Sequence, residues 1–388
     1  MAPFRIWPFP AARPTHTSTH SAAGQAEIIY LVSMASFPNY GDELIARTWL
    51  RFLADARPEA EVWLDCRNPA LATLLFEGDH PRLRTTDTIF RLINMVEADP
   101  SRGSVAHFVE NLGTPHFDLQ VEKLRQATTI HMLGGGYVNT IWPRNRGIIE
   151  AMTAAAAVSG ARLIATGQGL TPWTGPHFEE FSHVSVRDVE SAEKLGIEPG
   201  YDDAFLNAPA LPHGPSTPTE VVVCIQNDAI SEGAYEAFLE LTARTLEHPA
   251  IADLPRTYVE AIPGFDHAGY EALSQRGITF DAFVPFAGFW RSDAVFGPHQ
   301  IVISSRFHHH LMGALQGARG IALTDPAQYY STKHSSLARL GTGWNVATPE
   351  VTPDPDPERI EGPRQGLESA HTAKLAEATQ LYPAASLR

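Results

Sequence analysis

Short apolar runs alternate with amphipathic helical stretches along the chain from residue 27 onward. The apolar runs predict β-strands over residues 28–32, 62–64, 129–133, 162–166 and 184–186. Between the first two runs, Ile45, Trp49, Phe52 and Leu53 fall on one face of a predicted helix over residues 43–56. This alternation of strands and helices is typical of a parallel sheet that is covered by helices.

A proline-rich segment, residues 207–220, interrupts the pattern, since it can continue neither a helix nor a central strand. A second series of strands is predicted beyond it, over residues 221–225, 257–261, 301–304 and 320–323. We therefore predict an α/β protein with two Rossmann-like, doubly wound lobes, residues 27–206 and 221–347, joined by the linker 207–220. Residues 1–26 are expected to form a disordered arm, and residues 348–388 a tract rich in proline and aspartate that ends in a helix over 364–380.

The composition is that of a globular protein with an acidic surface. Of its 388 residues 44% are hydrophobic, and the formal net charge is −15. Such a surface repels nucleic acid and anionic lipid, so an anion site requires a local cluster of cations. The two cysteines lie in apolar segments, which suits reduced thiols, and no run approaches the roughly 20 apolar residues that span a bilayer. With no secretory signal in the first 26 residues, we expect a cytoplasmic protein without a transmembrane segment.

Ligands of open parallel sheets bind where strand ends meet helix N-termini, because free amides and the helix dipole there favour anions. Asn39, Gly41 and Asp42 occupy such a junction after the first predicted strand. Asp42 either caps the following helix or faces a cleft.

Glycines close two neighbouring strands of the first lobe. Gly134, Gly135 and Gly136 follow the strand over 129–133, and Gln168 lies in a Gly-Gln-Gly turn after the next strand. These glycines form either a structural turn or a loop whose backbone approaches an anion closely, as in phosphate-binding loops. The Lys and Ser/Thr of a Walker loop are absent.

Cationic residues follow later strands and begin later helices. Arg187 ends the strand over 184–186, Arg306 and His308 follow the strand over 301–304, and Lys333 belongs to a predicted helix that begins near residue 329. Arg187 either pairs with the adjacent aspartate at the surface or faces the cleft, and Lys333 is either solvated or reaches the same cleft. Three successive histidines, 308–310, point about 100° apart on a helix and cannot converge on one ion, so we expect no metal site.

Taken together and in this order, these motifs resemble the polysaccharide pyruvyl transferase family over about residues 28–340. The resemblance rests on an Asn-x-Gly-Asp loop, a glycine-rich strand end, a Gly-Gln-Gly turn, Val-Arg-Asp with serine three residues later, Arg-x-His and Tyr-x-x-Lys. The last of these is Tyr330 with Lys333. The sequence departs from the family at Gly313, where alanine is usual, and in the histidine triplet.

The resemblance implies a fold similar to the GT-B glycosyltransferases and transfer of pyruvate from phosphoenolpyruvate to two hydroxyls of a saccharide, as a cyclic ketal. It implies His308 as the acid/base and Asp42 as the acceptor-side carboxylate, with the acceptor on the first lobe and the donor held by cations of the second. No cofactor is expected. The implied partners are phosphoenolpyruvate and a saccharide that could be lipid-linked. A homo-oligomer is also compatible with the resemblance. The substrate-binding residues are then Asn39, Gly41, Gly134, Gly135, Gly136, Gln168, Arg187, Arg306 and Lys333.

Two other functions remain open from the sequence. A nucleotide-sugar glycosyltransferase would share the fold, although the helix after Arg306 carries no carboxylate through Gln316. A non-catalytic sugar-phosphate binding protein would need the same cations but not His308. If His308 is not the acid/base, then Asp42, Glu43 and His131 are the alternatives.

Overall fold

A computed structural model describes residues 27–113, 115–173, 178–207, 217–228, 230–292, 296–325, 330–349, 351, 360 and 366–383. The predicted disordered arm and most of the predicted linker and proline-rich tract lie outside the described residues. The first lobe contains six strands and seven α-helices among the described residues. They are β1 (Ile28–Val32), α1 (Tyr40–Ala56), β2 (Glu61–Asp65), α2 (Pro69–Leu75), β3 (Leu83–Thr86), α3 (Thr88–Ala98), α4 (Val105–Glu110), α5 (Asp118–Leu124), β4 (Thr129–Met132), α6 (Arg146–Ser159), β5 (Arg162–Gln168), β6 (His183–Val186) and α7 (Val189–Leu195).

The second lobe repeats the alternation in the described part of residues 220–347. Its elements are β7 (Glu220–Cys224), α8 (Glu232–Leu246), β8 (Arg256–Val259), α9 (Phe265–Gln275), β9 (Ala282–Val284), α10 (Phe286–Arg291), β10 (Gln300–Ser304), α11 (Phe307–Leu315), β11 (Arg319–Leu323), α12 (Tyr330–Arg339) and β12 (Asn345–Ala347). A last helix, α13, spans Gly366–Leu381.

Both sheets have six parallel strands in the same winding order. The first is β3-β2-β1-β4-β5-β6 and the second β12-β11-β10-β7-β8-β9. The chain reverses direction across the sheet between β1 and β4, and again between β7 and β10, so each lobe has a topological switch point where strand ends leave a crevice. The predicted fold class, two doubly wound α/β lobes, is confirmed.

Three strands escaped the sequence analysis, and all three lie at a sheet edge. β3, β9 and β12 have four, three and three residues, and each has a single neighbouring strand. An edge strand buries less of its surface than a central strand, so it needs fewer apolar residues and leaves a weaker pattern.

The helix α13 follows the second lobe in sequence but packs against the first. His371 Nδ1 lies 2.7 Å from the carbonyl of Phe205, and Lys374 forms a fully buried ion pair with Asp203. Asp203 also accepts hydrogen bonds from the Gly134 amide, at 2.8 Å, and from Trp49 Nε1, at 2.7 Å. The C-terminal helix is thereby tied to the glycine turn at the ligand-binding end of the first sheet.

Candidate active site

A cavity of about 730 Å³ opens between the lobes, lined by the loops that follow the carboxyl ends of both sheets. Five residues predicted from the sequence line it from the first lobe and three from the second. They are Asn39, Gly41, Asp42, Gly136 and Arg187, and Arg306, His308 and Lys333. The fold brings these residues together from distant parts of the chain, because both switch points open onto the same cavity.

The N-terminus of α1 holds Asp42 at the cavity wall. Asn39 caps the helix by accepting a hydrogen bond from the Gly41 amide at 3.2 Å, and its Nδ2 donates to Asp42 Oδ2 at 2.8 Å. Asp42 is therefore not the cap, and it lines the cavity instead. Burial raises the pKa of Asp42, while the charge of His308 acts in the opposite direction.

Gly41 allows the two lobes to touch at His308. A Cβ atom at position 41 would lie 1.9 Å from His308 Nδ1 and 2.5 Å from its Cε1, well inside van der Waals contact. The imidazole of the second lobe thus rests directly on the backbone of the first turn of α1. A side chain at position 41 would displace it.

Asp202 joins the lobes in the same region, and sequence reasoning missed it. Its Oδ2 accepts a hydrogen bond from Arg187 Nη1 at 2.7 Å, and its Oδ1 lies 3.3 Å from His308 Nε2. Burial alone would raise the pKa of Asp202, but His308 and then Arg187 lower it well below the usual range, so this carboxylate is ionised. The available signal was the pair of adjacent acids, Asp202 and Asp203, just before the proline-rich segment; both are buried.

Lys333 and Arg187 place two cations of different lobes near each other. Lys333 is half-buried in α12, and burial together with repulsion from Arg187 lowers its pKa well below the usual value. The carboxylate of Asp42 opposes this decrease in the pKa. An anion bound between Lys333 and Arg187 would relieve the repulsion, so this part of the cavity suits a negatively charged ligand.

Arg306 lines the cavity, but its charge is already balanced. Its Nε donates to Asp266 Oδ1 at 3.0 Å, and its Nη2 contacts both Asp266 and Asp228. These two carboxylates, which the sequence analysis did not identify, raise the pKa of Arg306 despite its burial. Arg306 thus differs from Lys333, whose pKa is lowered.

The glycine turn contributes less to the cavity than predicted. Only Gly136 of the three glycines lines it. The Gly134 amide donates to Asp203, and the Gly135 amide donates to the carbonyl of Gly167 at 3.3 Å. Both amides are engaged inside the first lobe, so the expectation that Gly134 and Gly135 offer them to an anion does not fit the structure.

Gln168 and His131 also face the interior of the first lobe. Gln168 Nε2 donates to the carbonyls of Leu133, at 2.9 Å, and Thr166, at 2.8 Å, which fixes the glycine turn. His131 lies fully buried between Tyr382 and the hydroxyl of Thr166. Neither side chain lines the cavity, so Gln168 supports the turn, contrary to the prediction that it binds substrate, and His131 is a poor alternative acid/base.

Glu43, another alternative acid/base, is engaged in holding the loop after β1. Both of its carboxylate oxygens accept hydrogen bonds from the Ser36 amide, at 2.8 and 2.9 Å. The side chain is fully buried, and desolvation raises the pKa of Glu43 to about 8. It does not line the cavity.

The three successive histidines point in different directions, as their helical spacing predicts. His308 meets Asp202, whereas His309 packs among aromatic rings that include Phe289, 5.0 Å away between ring centroids. His310 stacks on Trp344 at 4.6 Å. Burial lowers the pKa of His309 to about 3 and that of His310 well below its usual value, so both are neutral core residues. Of the three, His308 alone contacts a carboxylate in the described structure.

Comparison with known proteins assigns the chain to a family. A family model described as polysaccharide pyruvyl transferase matches residues 39–325, which is well over half of the chain. The protein is thus a saccharide-modifying transferase. It belongs to the polysaccharide pyruvyl transferase family.

Solved structures of similar overall size match at low sequence identity. A putative UDP-N-acetylglucosamine 2-epimerase from Listeria monocytogenes is 13% identical with a TM-score of 0.48, each chain being covered to 92%. The UDP-GlcNAc 2-epimerase from Neisseria meningitidis, bound to UDP-GlcNAc, is 10% identical with a TM-score of 0.46, covering 92% of this chain and 93% of the other. The ADP-heptose lps heptosyltransferase II from E. coli is 11% identical with a TM-score of 0.39, and the match covers 90% of this chain and 99% of the other. No curated protein matches the chain by sequence.

Two further observations concern metals and membranes. Within the described ranges, no three His, Cys, Asp or Glu side chains are grouped so that they could hold a metal ion. None of the helices in those ranges is long and apolar enough to cross a bilayer.

Proposed function

We propose that this protein transfers pyruvate from phosphoenolpyruvate onto two hydroxyls of a saccharide and forms a cyclic ketal. The observation that carries the proposal is the contact of Asp202 with both Arg187 and His308, which places a cation and an imidazole side by side between the lobes. Membership of the polysaccharide pyruvyl transferase family supports this reaction class.

The donor occupies the cavity beside Lys333 and Arg187 in this proposal. Phosphoenolpyruvate carries a carboxylate and a phosphate, and each is bound well by a cation that donates hydrogen bonds. The lowered pKa of Lys333 reflects burial and the repulsion of Arg187, so a bound anion would favour its charged form. Arg306 lines the same wall but contributes less, because it shares its charge with two carboxylates, Asp228 and Asp266, whereas Arg187 pairs with one, Asp202.

His308 serves as the acid that protonates the donor. Its ring is held between the Gly41 backbone and Asp202, and this ionised carboxylate stabilises an imidazolium. Proton transfer from His308 to the methylene carbon C3 of phosphoenolpyruvate develops positive charge at C2. The first saccharide hydroxyl then attacks C2 and forms the first C–O bond.

The second C–O bond forms as the phosphate leaves. The bond between C2 and the phosphate oxygen breaks, and the second hydroxyl attacks C2. Over the whole reaction one proton ends on the new methyl group and the other leaves with inorganic phosphate, so atoms and charge balance. His308 regains a proton from the hydroxyl side, which returns the site to its starting state.

Asp42 acts on the acceptor side. Its carboxylate lines the cavity on the first lobe, beside His308, and is oriented by Asn39. Because burial raises its pKa, Asp42 is a stronger base than an exposed carboxylate and can accept a proton from an attacking hydroxyl. The proposal includes no metal ion and no cofactor.

The donor assignment is tested by calorimetric titration of phosphoenolpyruvate. Lys333→Gln should weaken its binding by about 10-fold or more, because a charge-assisted contact is lost. The matched control is Lys194→Gln, which removes an exposed lysine from α7. Unchanged affinity in Lys333→Gln, or stronger binding of nucleotide sugars than of phosphoenolpyruvate, would show that the donor assignment is wrong.

A further inference from the structure

Two buried histidines form a pair that the proposed chemistry does not use. His310, from α11, and His334, from α12, are fully buried, and their Nδ1 atoms lie 3.1 Å apart. At the outer ends of the pair, His310 Nε2 lies 2.8 Å from the hydroxyl of Thr342, and His334 Nε2 lies 3.1 Å from the carbonyl of Ser305. Groups from four separate segments are thus joined in one chain of hydrogen bonds.

The carbonyl at one end fixes the direction of each hydrogen bond in this chain. Burial lowers the pKa of His334 to about 4 and that of His310 well below its usual value, so each ring is neutral and carries one N–H. Because the Ser305 carbonyl can only accept, His334 Nε2 donates to it, and His334 Nδ1 is left as an acceptor. His310 Nδ1 must then donate to His334, and His310 Nε2 accepts from the Thr342 hydroxyl.

The indole of Trp344 packs against the pair. His310 stacks on this ring at 4.6 Å between centroids and on His334 at 5.3 Å, with 19° between the ring planes in both contacts. Gly313 and Gly320 leave room for the indole, since a Cβ atom at either position would lie 2.6 Å from it. Gly313 and the histidine triplet, the two points at which the sequence departs from the family pattern, therefore belong to one packed cluster.

Ser305 is the fixed end of the chain of hydrogen bonds. Its amide donates to the Cys224 carbonyl at 3.2 Å, and its hydroxyl accepts from the Gln226 amide at 2.9 Å. These bonds hold Ser305 to the end of β7, at the switch point of the second sheet. The bond from His334 then positions α12 relative to that point.

Lys333 precedes His334 on α12 and lines the cavity between the lobes. Successive side chains of a helix point about 100° apart, so His334 can anchor the helix in the core while Lys333 faces the cavity. A rotation of α12 would move the Lys333 ammonium relative to Arg187 of the first lobe. The anchor at His334 therefore controls the spacing of two cations that the proposed donor site needs.

We propose that the His310–His334 pair is a positioning element that holds Lys333 at the donor site by anchoring α12 to the Ser305 carbonyl. The proposal rests on the function proposed above, in which Lys333 binds the anionic donor. Neither histidine of the pair touches the donor or exchanges a proton with it. The pair therefore affects donor affinity, through Lys333, more than it affects the proton transfer by His308.

The direction of the hydrogen bonds is tested by NMR on the wild-type protein. Long-range ¹H–¹⁵N correlation spectra of ¹⁵N-histidine-labelled protein show which ring nitrogen of each neutral histidine carries the hydrogen. Through-space contacts with the Trp344 ring identify His310, and contacts with His310 identify His334. We expect His310 to be protonated at Nδ1 and His334 at Nε2. The opposite tautomer at either residue would overturn the proposal.

The coupling to Lys333 is tested by a double-mutant cycle, with calorimetric titration of phosphoenolpyruvate. His334→Phe retains a ring but loses both hydrogen bonds, and it should weaken binding by about 3- to 10-fold. His334→Gln, whose amide can still donate to Ser305, should lose less affinity. In the Lys333→Gln background, His334→Phe should cause no further loss, because the group that it positions is absent. The matched control is His299→Gln, which replaces an exposed histidine outside the cavity and should bind like the wild type.

Unchanged affinity in His334→Phe, or an equal loss in both backgrounds, would show that the pair acts only on stability. Thermal unfolding identifies the folded variants, and His334→Gln takes the place of His334→Phe in the cycle if the latter does not fold. The same cycle is measured with inorganic phosphate. If phosphate binding shows the coupling while phosphoenolpyruvate does not bind, the donor assignment fails and the positioning of Lys333 stands.

Discussion

Asp202 Oδ1, in the first lobe, lies 3.3 Å from His308 Nε2, in the second. The other oxygen of the same carboxylate binds Arg187 at 2.7 Å. One buried aspartate thus sets the position of an imidazole and a guanidinium, and it does so across the boundary between the lobes. In the proposed reaction, the two lobes must hold this arrangement.

Asp202→Asn should therefore impair catalysis more than donor binding. We expect kcat for phosphate release to fall by about 10- to 100-fold, because the amide is neutral and no longer stabilises the imidazolium. The KM for phosphoenolpyruvate should change less, since Arg187 and Lys333 remain. Steady-state kinetics with Asp253→Asn, an exposed control, provide the comparison. Wild-type kcat in Asp202→Asn would exclude a positioning role for this residue.

Gly41→Ala should displace the imidazole of His308. The added Cβ would lie 1.9 Å from Nδ1, so the ring must move away from Asp202. We expect kcat to fall by about 10-fold or more, with a much smaller change in thermal stability. The matched control is Gly233→Ala in α8, where an added Cβ has no neighbour within 4 Å.

A double-mutant cycle makes the Gly41 prediction specific. Once His308 is replaced by alanine, Gly41→Ala should cause little further loss of activity, because the group it displaces is already absent. Additive losses in the double variant would show that Gly41→Ala acts by another route.

Strand ends were where the sequence was most informative. The loops at Asn39 and Arg187 and the Arg306–His308 junction could be located because central strands are apolar and the switch points of parallel sheets collect polar ligand-binding residues. Asp202 escaped because it lies in coil just before a short 3-10 helix, residues 203–207, and neither has a periodicity that marks burial. Its partners lie 15 and 106 residues away, so only the fold reveals them.

Other errors came from hydrogen bonds that only the folded chain determines. The sequence marks Gly134 and Gly135 as flexible backbone, but not that Asp203 and Gly167 occupy their amides. It marks Arg306 as a cation, but not that Asp228 and Asp266 neutralise it. Predicting these contacts requires the relative positions of helices, strands and loops that are distant in the sequence.

Asp65→Asn tests the electrostatics of the first lobe. Asp65 ends β2, and its Oδ2 accepts hydrogen bonds from Tyr30, at 2.7 Å, and from the Ile89 amide, at 2.8 Å. Burial raises the pKa of Asp65 to about 8, so the folded state favours the protonated form that asparagine imitates.

The sign of the pH dependence follows from the raised pKa. Between the unfolded value of about 4 and the folded value of about 8, the folded state binds more protons than the unfolded state. The contribution of Asp65 to the free energy of unfolding is therefore largest below about pH 4, and it declines as the pH rises to about 8. Thermal unfolding should show Asp65→Asn gaining stability relative to the wild type from pH 5 to pH 8.5. Asp55→Asn, an exposed control, should show no such gain in stability. A stability difference between Asp65→Asn and the wild type that does not change with pH would contradict the raised pKa of Asp65.

The central claim is that His308 supplies the proton in phosphoenolpyruvate-dependent transfer. The most direct measurement is the rate of phosphate release from phosphoenolpyruvate, with a panel of saccharide acceptors, for the wild type and His308→Gln. His309 and His310 are buried in the core, so their variants report on stability and are not suitable controls. We predict that kcat falls by about 10²- to 10⁴-fold in His308→Gln while the KM for phosphoenolpyruvate changes little. A wild-type kcat in His308→Gln would contradict the assignment of this residue, and the absence of phosphate release from the wild type with every acceptor would contradict the proposed reaction.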